Sequence, residues 1–200
     1  NNYKKKLIVS GNPRIDFWRK DFDFFYKKRK FQYSNYILFS LNFLMISESK
    51  FNEIHKILQK NKYVERGVTI KQIKKNQQDN NKILKKFSKL ITTLATRTDS
   101  KIIVRPHPTD LISNFDFLKK YKNITVTKQG SISECINHAK IVIHSGSSGG
   151  LESSIRGIPT IAYSPFNSSH GHKLADSFSI KASGLNEWIK LIQNIMKNKL

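Results

Sequence analysis

Past residue 100 the chain alternates between short apolar runs and stretches of helical periodicity, and few architectures accept that rhythm. Lys101 to Arg105, Ile124 to Thr127, Ile141 to Ile143 and Pro159 to Tyr163 are brief and rich in β-branched residues, as strands covered on both faces must be. Between them Leu111 to Tyr121 reads as helical, and Ser131-Ile-Ser-Glu134 is a capping-box pattern that opens a short helix. A further helix is expected from about Leu151 to Arg156, with Gly157 placed to end it. Leu185 to Lys197 is amphipathic, with Leu185, Trp188, Ile189, Ile192, Ile195 and Met196 on one face. Strands alternating with helices predict an α/β protein: a Rossmann-like parallel sheet flanked by helices, binding ligands at the carboxyl ends of its strands.

The first half is less regular. Leu7 to Ser10 reads as a short strand that breaks at Gly11-Asn12-Pro13. Arg14 to Arg29 is expected to be helical, with Ile15, Trp18, Phe22 and Phe25 in register, and Tyr36 to Leu41 to be a buried strand. Residues 47–80 are polar and predict a mixture of helix and loop. Asn81 to Thr98 is the clearest helix, carrying Ile83, Leu84, Phe87, Leu90, Ile91, Leu94 and Ala95 as one stripe. No internal repeat is visible.

Composition narrows the partners. At 38% hydrophobic and 11% aromatic the 200 residues can bury a core, which excludes wholesale disorder. The longest mostly apolar stretch, Tyr36 to Ile46, is interrupted by Ser40 and Asn42 and is far short of the ~20 residues of a membrane span. The lone Cys135 excludes an internal disulfide and fits a reducing compartment. After Lys4-Lys5-Lys6 the apolar run lasts only from Leu7 to Val9, too short for a secretory leader, and the missing initiator Met suggests a piece of a longer protein. The expected location is cytoplasmic. The net charge of +22 invites a nucleic-acid reading. The lysines are scattered, however, without the interleaved aromatics of a stacking groove, so no nucleic acid is expected and solvated helix faces account for the charge better. Peripheral attraction to an anionic membrane, worth about 1 kcal/mol per basic residue near the bilayer, is the weaker alternative.

Two segments carry the candidate chemistry. The first is His144-Ser145-Gly146-Ser147-Ser148-Gly149-Gly150, a strand exit running into a helix. Unpaired N–H groups at a helix start, with glycines allowing close approach and serines adding donors, suit a phosphate or diphosphate. The pattern matches neither the Walker loop nor the dinucleotide fingerprint, and a ligand-free tight turn is the alternative. Glu152 follows in what should be the first turn, either stabilising the helix dipole or accepting hydrogen bonds from ribose hydroxyls. The second segment is Arg105-Pro106-His107-Pro108, which leaves another strand and should share the same rim. The prolines stiffen the backbone, Arg105 suits phosphate, and His107 suits hydrogen bonding or protonation of a leaving group. A rigid exit with a solvated histidine is the competing reading. No metal site is expected: Asp21 and Asp23 diverge on a helix, and His144, His170 and His172 lack a carboxylate or thiolate at ligand spacing. Cys135 reads as inert core. No cofactor is expected.

Arg105-Pro-His-Pro108, followed some forty residues later by His144-Ser-Gly-Ser-Ser-Gly-Gly-Leu-Glu-Ser-Ser-Ile-Arg-Gly-Ile-Pro-Thr-Ile-Ala-Tyr163, resembles the C-terminal, donor-binding half of a GT-B glycosyltransferase. The nearest likeness is to bacterial surface or capsular polysaccharide biosynthesis proteins, including Kdo-transferase-like capsule enzymes. Val9-Ser-Gly-Asn-Pro-Arg-Ile-Asp16 resembles the interdomain crossing of such proteins. The resemblance implies a crossing and first helix over 1–30, a nucleotide-sugar domain over 31–200, and an acceptor domain outside the chain. It implies donor-phosphate contacts from Arg105 and His107, a phosphate cradle of Ser145, Gly146, Ser147, Ser148 and Gly149, a ribose contact from Glu152, and Asn12 and Arg14 at the hinge facing the cleft. The implied partners are a CMP- or UDP-type sugar donor and a glycan or lipid-linked acceptor. It also implies metal-independent chemistry that this fragment would not perform alone. A sugar-nucleotide 2-epimerase ranks lower because Glu152-Ser153 stands where two adjacent acids normally follow. A teichoic-acid-type glycerol- or ribitol-phosphate transferase, a basic nucleic-acid-binding module and a degenerate nucleotide-binding scaffold are the other competing readings.

Overall fold

The computed structural model describes residues 12–25, 32–42, 56, 67, 69–108, 110, 112–163, 173–181 and 184–198. The expected strand Leu7 to Ser10, with Gly11 of the turn that follows it, lies outside these residues, as do His170 and His172. Among the described residues five strands form one parallel sheet: β1 (Tyr36–Ser40), β2 (Ile102–Arg105), β3 (Ile124–Val126), β4 (Ala139–His144) and β5 (Thr160–Ala162), in the order β3-β2-β1-β4-β5. The chain builds outward from β1 to β3 and then returns to the other side of β1. The β1–β4 seam is therefore the topological switch point, where open α/β sheets take ligands.

Both faces are covered because the strands alternate their side chains between two cores. Ile37, Phe39, Ile102, Val104, Ile141 and Ile143 share one core with Phe87, Leu90, Ile91 and Leu94 of α2 (Ile70–Ala95) and Trp188, Ile189 and Ile192 of α6 (Leu185–Met196). Tyr36, Leu38, Ile103 and Val142 point the other way, onto Cys135 and Ile136 of α3 (Ile132–Asn137). Cys135 is fully buried, and burial pushes its thiol pKa up, in keeping with its place in a core.

Before residue 122 three helical segments depart from expectation. Helix α2 starts eleven residues before Asn81, because Thr69 and Gln72 form a capping box and the buried Ile73 and Gln77 carry the stripe back through a polar segment. Arg14 to Arg29 is not one helix where it is described: α1 (Pro13–Phe17) gives way to a 3-10 helix, Lys20–Phe25, through i to i+3 bonds such as Trp18 N–H to Ile15 O and Arg19 N–H to Asp16 O. The switch aims Trp18 at Leu151 and Ala175. The segment expected to be helical at Leu111 to Tyr121 is a 3-10 helix over Ile112–Leu118. The short helix after Ser131 is as expected, with both halves of the capping box made. Helix α4 (Ser148–Ile155) ends in a Schellman motif, with Gly157 at φ +69° and the N–H of Ile158 reaching Ser153 O.

Candidate functional site at the switch point

Register places the two candidate segments on one rim. Ser40, the last residue of β1, pairs with Arg105 on one side and His144 on the other, and His144 pairs with Ala162. The loops leaving β2 and β4 therefore flank the end of β1, with strand spacing setting them roughly 10 Å apart.

Within the β4–α4 turn, Gly146 adopts a left-handed φ of +58°, which turns the chain back over the sheet. Ser147 is the N-cap: its Oγ accepts from the Gly149 N–H at 3.2 Å and lies 3.2 Å from Ser40 Oγ. Its own N–H is directed to Nδ1 of His144 at 3.4 Å. Ser147 and Gly149 are buried, Ser145 and Gly146 are half-buried, and Ser148 is exposed at the helix start. A Cβ on Gly149 would sit 2.9 Å from Ser40 Oγ, and one on Gly150 only 2.3 Å from His144 Nε2. Both glycines let α4 approach the sheet.

Across the rim, His107 is half-buried in a tight loop. Its N–H donates to Asp110 Oδ2 at 3.0 Å, and the Asp110 N–H returns to His107 O at 2.9 Å. Lys128 Nζ donates to the carbonyls of Pro108 and Asp110 and pins the same loop from β3's side. Burial holds the His107 imidazole below its ordinary pKa; the Asp110 carboxylate partly offsets this and the Lys128 ammonium adds to it. Arg105 is 8% exposed, and its terminal nitrogens donate to Gln129 O at 2.5 Å and Gly130 O at 2.6 Å. It lies on the expected rim, where these contacts fasten the loop that leads into α3.

Helix α4 begins three residues earlier than expected, so Glu152 is its fifth residue and lies beyond the first turn. The dipole reading weakens accordingly, since that effect fades within one turn. Glu152 is instead 2% exposed and receives Arg156 Nε at 3.4 Å, one turn on. Arg156, also 2% exposed, reaches Asp23 Oδ1 at 2.5 Å. Burial raises the Glu152 pKa despite hydrogen bonding with Ser133 and the opposing charges of Arg156 and Arg14. Asn12 is exposed and caps α1 by accepting from the Arg14 N–H, while the Arg14 guanidinium lies 5.5 Å from the Trp18 ring centroid. Asp21 pairs with Arg19. Among the described residues no group of three or more His, Cys, Asp or Glu could hold a metal ion, and no helix is long and apolar enough to cross a membrane.

Sequence reasoning missed Ser40, Ser133, Arg156 and the part His144 plays. Arg156 had a local signal, the i,i+4 spacing from Glu152. Ser40 had a faint one, a hydroxyl ending an otherwise apolar strand.

No protein-family model and no curated protein matches the sequence. The fold, however, is similar to that of solved structures of UDP-GlcNAc 2-epimerase from Methanocaldococcus jannaschii. Against the complex with UDP-GlcNAc and UDP, the TM-score is 0.55 at 16% identity, over 96% of this chain and 48% of that one. A second structure of that enzyme gives 0.50 at 16% identity, over 94% and 44%. The chain thus spans about half the length of these proteins. At such identity the likeness establishes the fold: a Rossmann-like α/β sheet matching one half of a GT-B-like epimerase.

Proposed function

We propose that this chain is the nucleotide-sugar-binding half of a sugar-nucleotide-processing enzyme, holding the donor's diphosphate at the β1–β4 switch point. The observation that carries this reading is the alignment of Ser40, Arg105 and His144 across three adjacent strands, which brings the α4 N-terminus and the His107 loop to one rim. The shared fold with a UDP-GlcNAc-binding enzyme supports it and favours a UDP-type donor.

In this reading the half-buried Ser145 and Gly146 and the exposed Ser148 face the phosphates at the start of α4. Ser147 and Gly149 shape the turn from beneath. His107, neutral near pH 7 because its pKa is lowered, acts as a hydrogen-bond donor to a phosphate oxygen rather than as a loaded acid. Arg105 serves by fastening the β3–α3 loop. A ribose diol seated on Glu152 displaces the Ser133 hydroxyl. When the bond from the sugar to the diphosphate breaks, negative charge gathers on the departing phosphate, and fixed donors aimed there favour the transition state.

For the reaction itself we propose glycosyl transfer in surface-polysaccharide synthesis, because Glu152 is followed by Ser153 and not by a second acid. Epimerisation at C2 is the second reading, favoured by the structural neighbours. Adding UDP, CDP, GDP or CMP to the chain while recording thermal unfolding tests the binding claim. UDP should stabilise selectively, by about 2.7 kcal/mol at a hundredfold excess over Kd; a folded protein indifferent to all four removes it. Incubating the full-length protein with UDP-GlcNAc then separates the chemistries: a C2 epimer without acceptor means epimerase, a glycoside plus UDP means transferase.

A further inference from the structure

His144 ends β4 beneath the turn, fully buried, and none of the roles assigned above uses its ring. Ser147, Ser179 and Gly150 are among the neighbours that meet that ring. The Ser147 N–H points at Nδ1 at 3.4 Å, Ser179 Oγ lies 2.9 Å from Nε2, and Gly150 packs flat against it. Ser179 gives its own proton to Ala175 O at 2.7 Å, so towards the ring its oxygen accepts. The imidazole is then neutral, with the proton on Nε2 and a bare Nδ1 receiving the turn's N–H.

Ser179 and Ala175 belong to the segment that returns to the sheet after β5. There α5 (Lys173–Ser177) packs on α4, and Ile180 bridges Ile161 at the sheet edge. The ring therefore joins the strand end, the turn and the returning segment. A Ser-His-Asp relay would need the opposite arrangement: Nδ1–H donated to a carboxylate and Nε2 open to the serine proton. Asp176 Oδ1 is 3.9 Å from Nδ1, beyond hydrogen-bonding distance, and the serine proton goes elsewhere.

We propose that His144 is a positioning residue: as the Nε2–H tautomer it fixes the Ser145–Ser147 turn in its anion-receiving shape and locks that turn to residues 173–181. The link to ligand affinity rests on the nucleotide reading above; the link to the turn does not.

Long-range proton–nitrogen NMR of the chain should show Nε2 protonated and Nδ1 bare, with the Ser147 amide protected from exchange. A proton on Nδ1, or an unprotected Ser147 amide, overturns the proposal. His144→Asn keeps an acceptor where Nδ1 stands; His144→Leu keeps only bulk. With both variants folded by circular dichroism, the Asn form should bind UDP within about threefold of wild type and the Leu form about tenfold more weakly, a difference of about one hydrogen bond. Equal UDP affinity in wild type and His144→Leu overturns the positioning role. Labelling of Ser179 by a fluorophosphonate also overturns it, in favour of the relay. A wild-type chain that shows the expected tautomer and protection yet binds no UDP sinks the nucleotide reading and leaves the grip on the turn standing.

Discussion

Gly149 and Gly150 are neighbours in sequence yet face different obstacles. A Cβ at 149 meets Ser40 Oγ, the end of a side chain that can rotate away, and Ile132 Cγ1 at 3.3 Å. A Cβ at 150 meets three atoms of the buried His144 ring within 2.5 Å, and hydrogen bonds hold that ring on both sides. Gly→Ala inside a helix normally gains about 0.5–1 kcal/mol, whereas overpacking costs about 1–3 kcal/mol. Gly150→Ala should therefore lower stability by roughly 2 kcal/mol, and Gly149→Ala by clearly less, in urea unfolding. His107 supplies a residue-scale pH effect. A histidine whose folded pKa is depressed contributes stability that is present above about 6.5 and lost as pH falls through the folded value. Thermal unfolding of wild type should weaken on acidification below that point, and His107→Gln should flatten the dependence; an unchanged slope would refute the assignment.

Asp23, Arg156 and Glu152 join two elements by charge: the 3-10 helix after α1 and α4. The raised Glu152 pKa says that burial outweighs its pairing, as it does for many buried ion pairs. Arg156→Met strands Glu152 and should cost about 3–5 kcal/mol. Adding Glu152→Gln should restore most of that loss, and a double variant as weak as the single would contradict the account. The sign for Glu152 is opposite to that for His107. A carboxyl with a raised folded pKa contributes stability that is complete below the ordinary carboxylate value near 4.5 and lost as pH rises through its folded value. The five described strands were legible in the sequence because β-branched runs between turn signals have little else to become. Helix starts were less so: Ile73 and Gln77 are too sparse to reveal a stripe among lysines and asparagines, and Trp18 breaks its helix to reach residues far along the chain. In the site, strand-end logic placed the Arg105–Pro108 and His144–Gly150 segments together, which the register confirms. What Arg105 and Ser147 touch was hidden, because Gln129, Gly130 and Ser40 are distant in sequence and only the sheet brings them near.

For the molecule as a whole, the net charge of +22 opposes compaction. Raising salt towards 0.15 M shortens the Debye length to about 8 Å, so thermal stability should rise with added sodium chloride while UDP affinity falls. A melting temperature that drops with salt would mean that attractive surface pairs dominate instead. One feature of the sheet reaches beyond ligand chemistry. Its central strand β1 has no neighbour close in sequence: Ile37 pairs with Ile102 on one side and Ile141 on the other. Both closures must form large loops before any ladder bond repays their entropy. On a chain growing from its amino end, β1 therefore stays a naked apolar edge until residues 139–144 emerge, and that interval is when misassembly has its best opening.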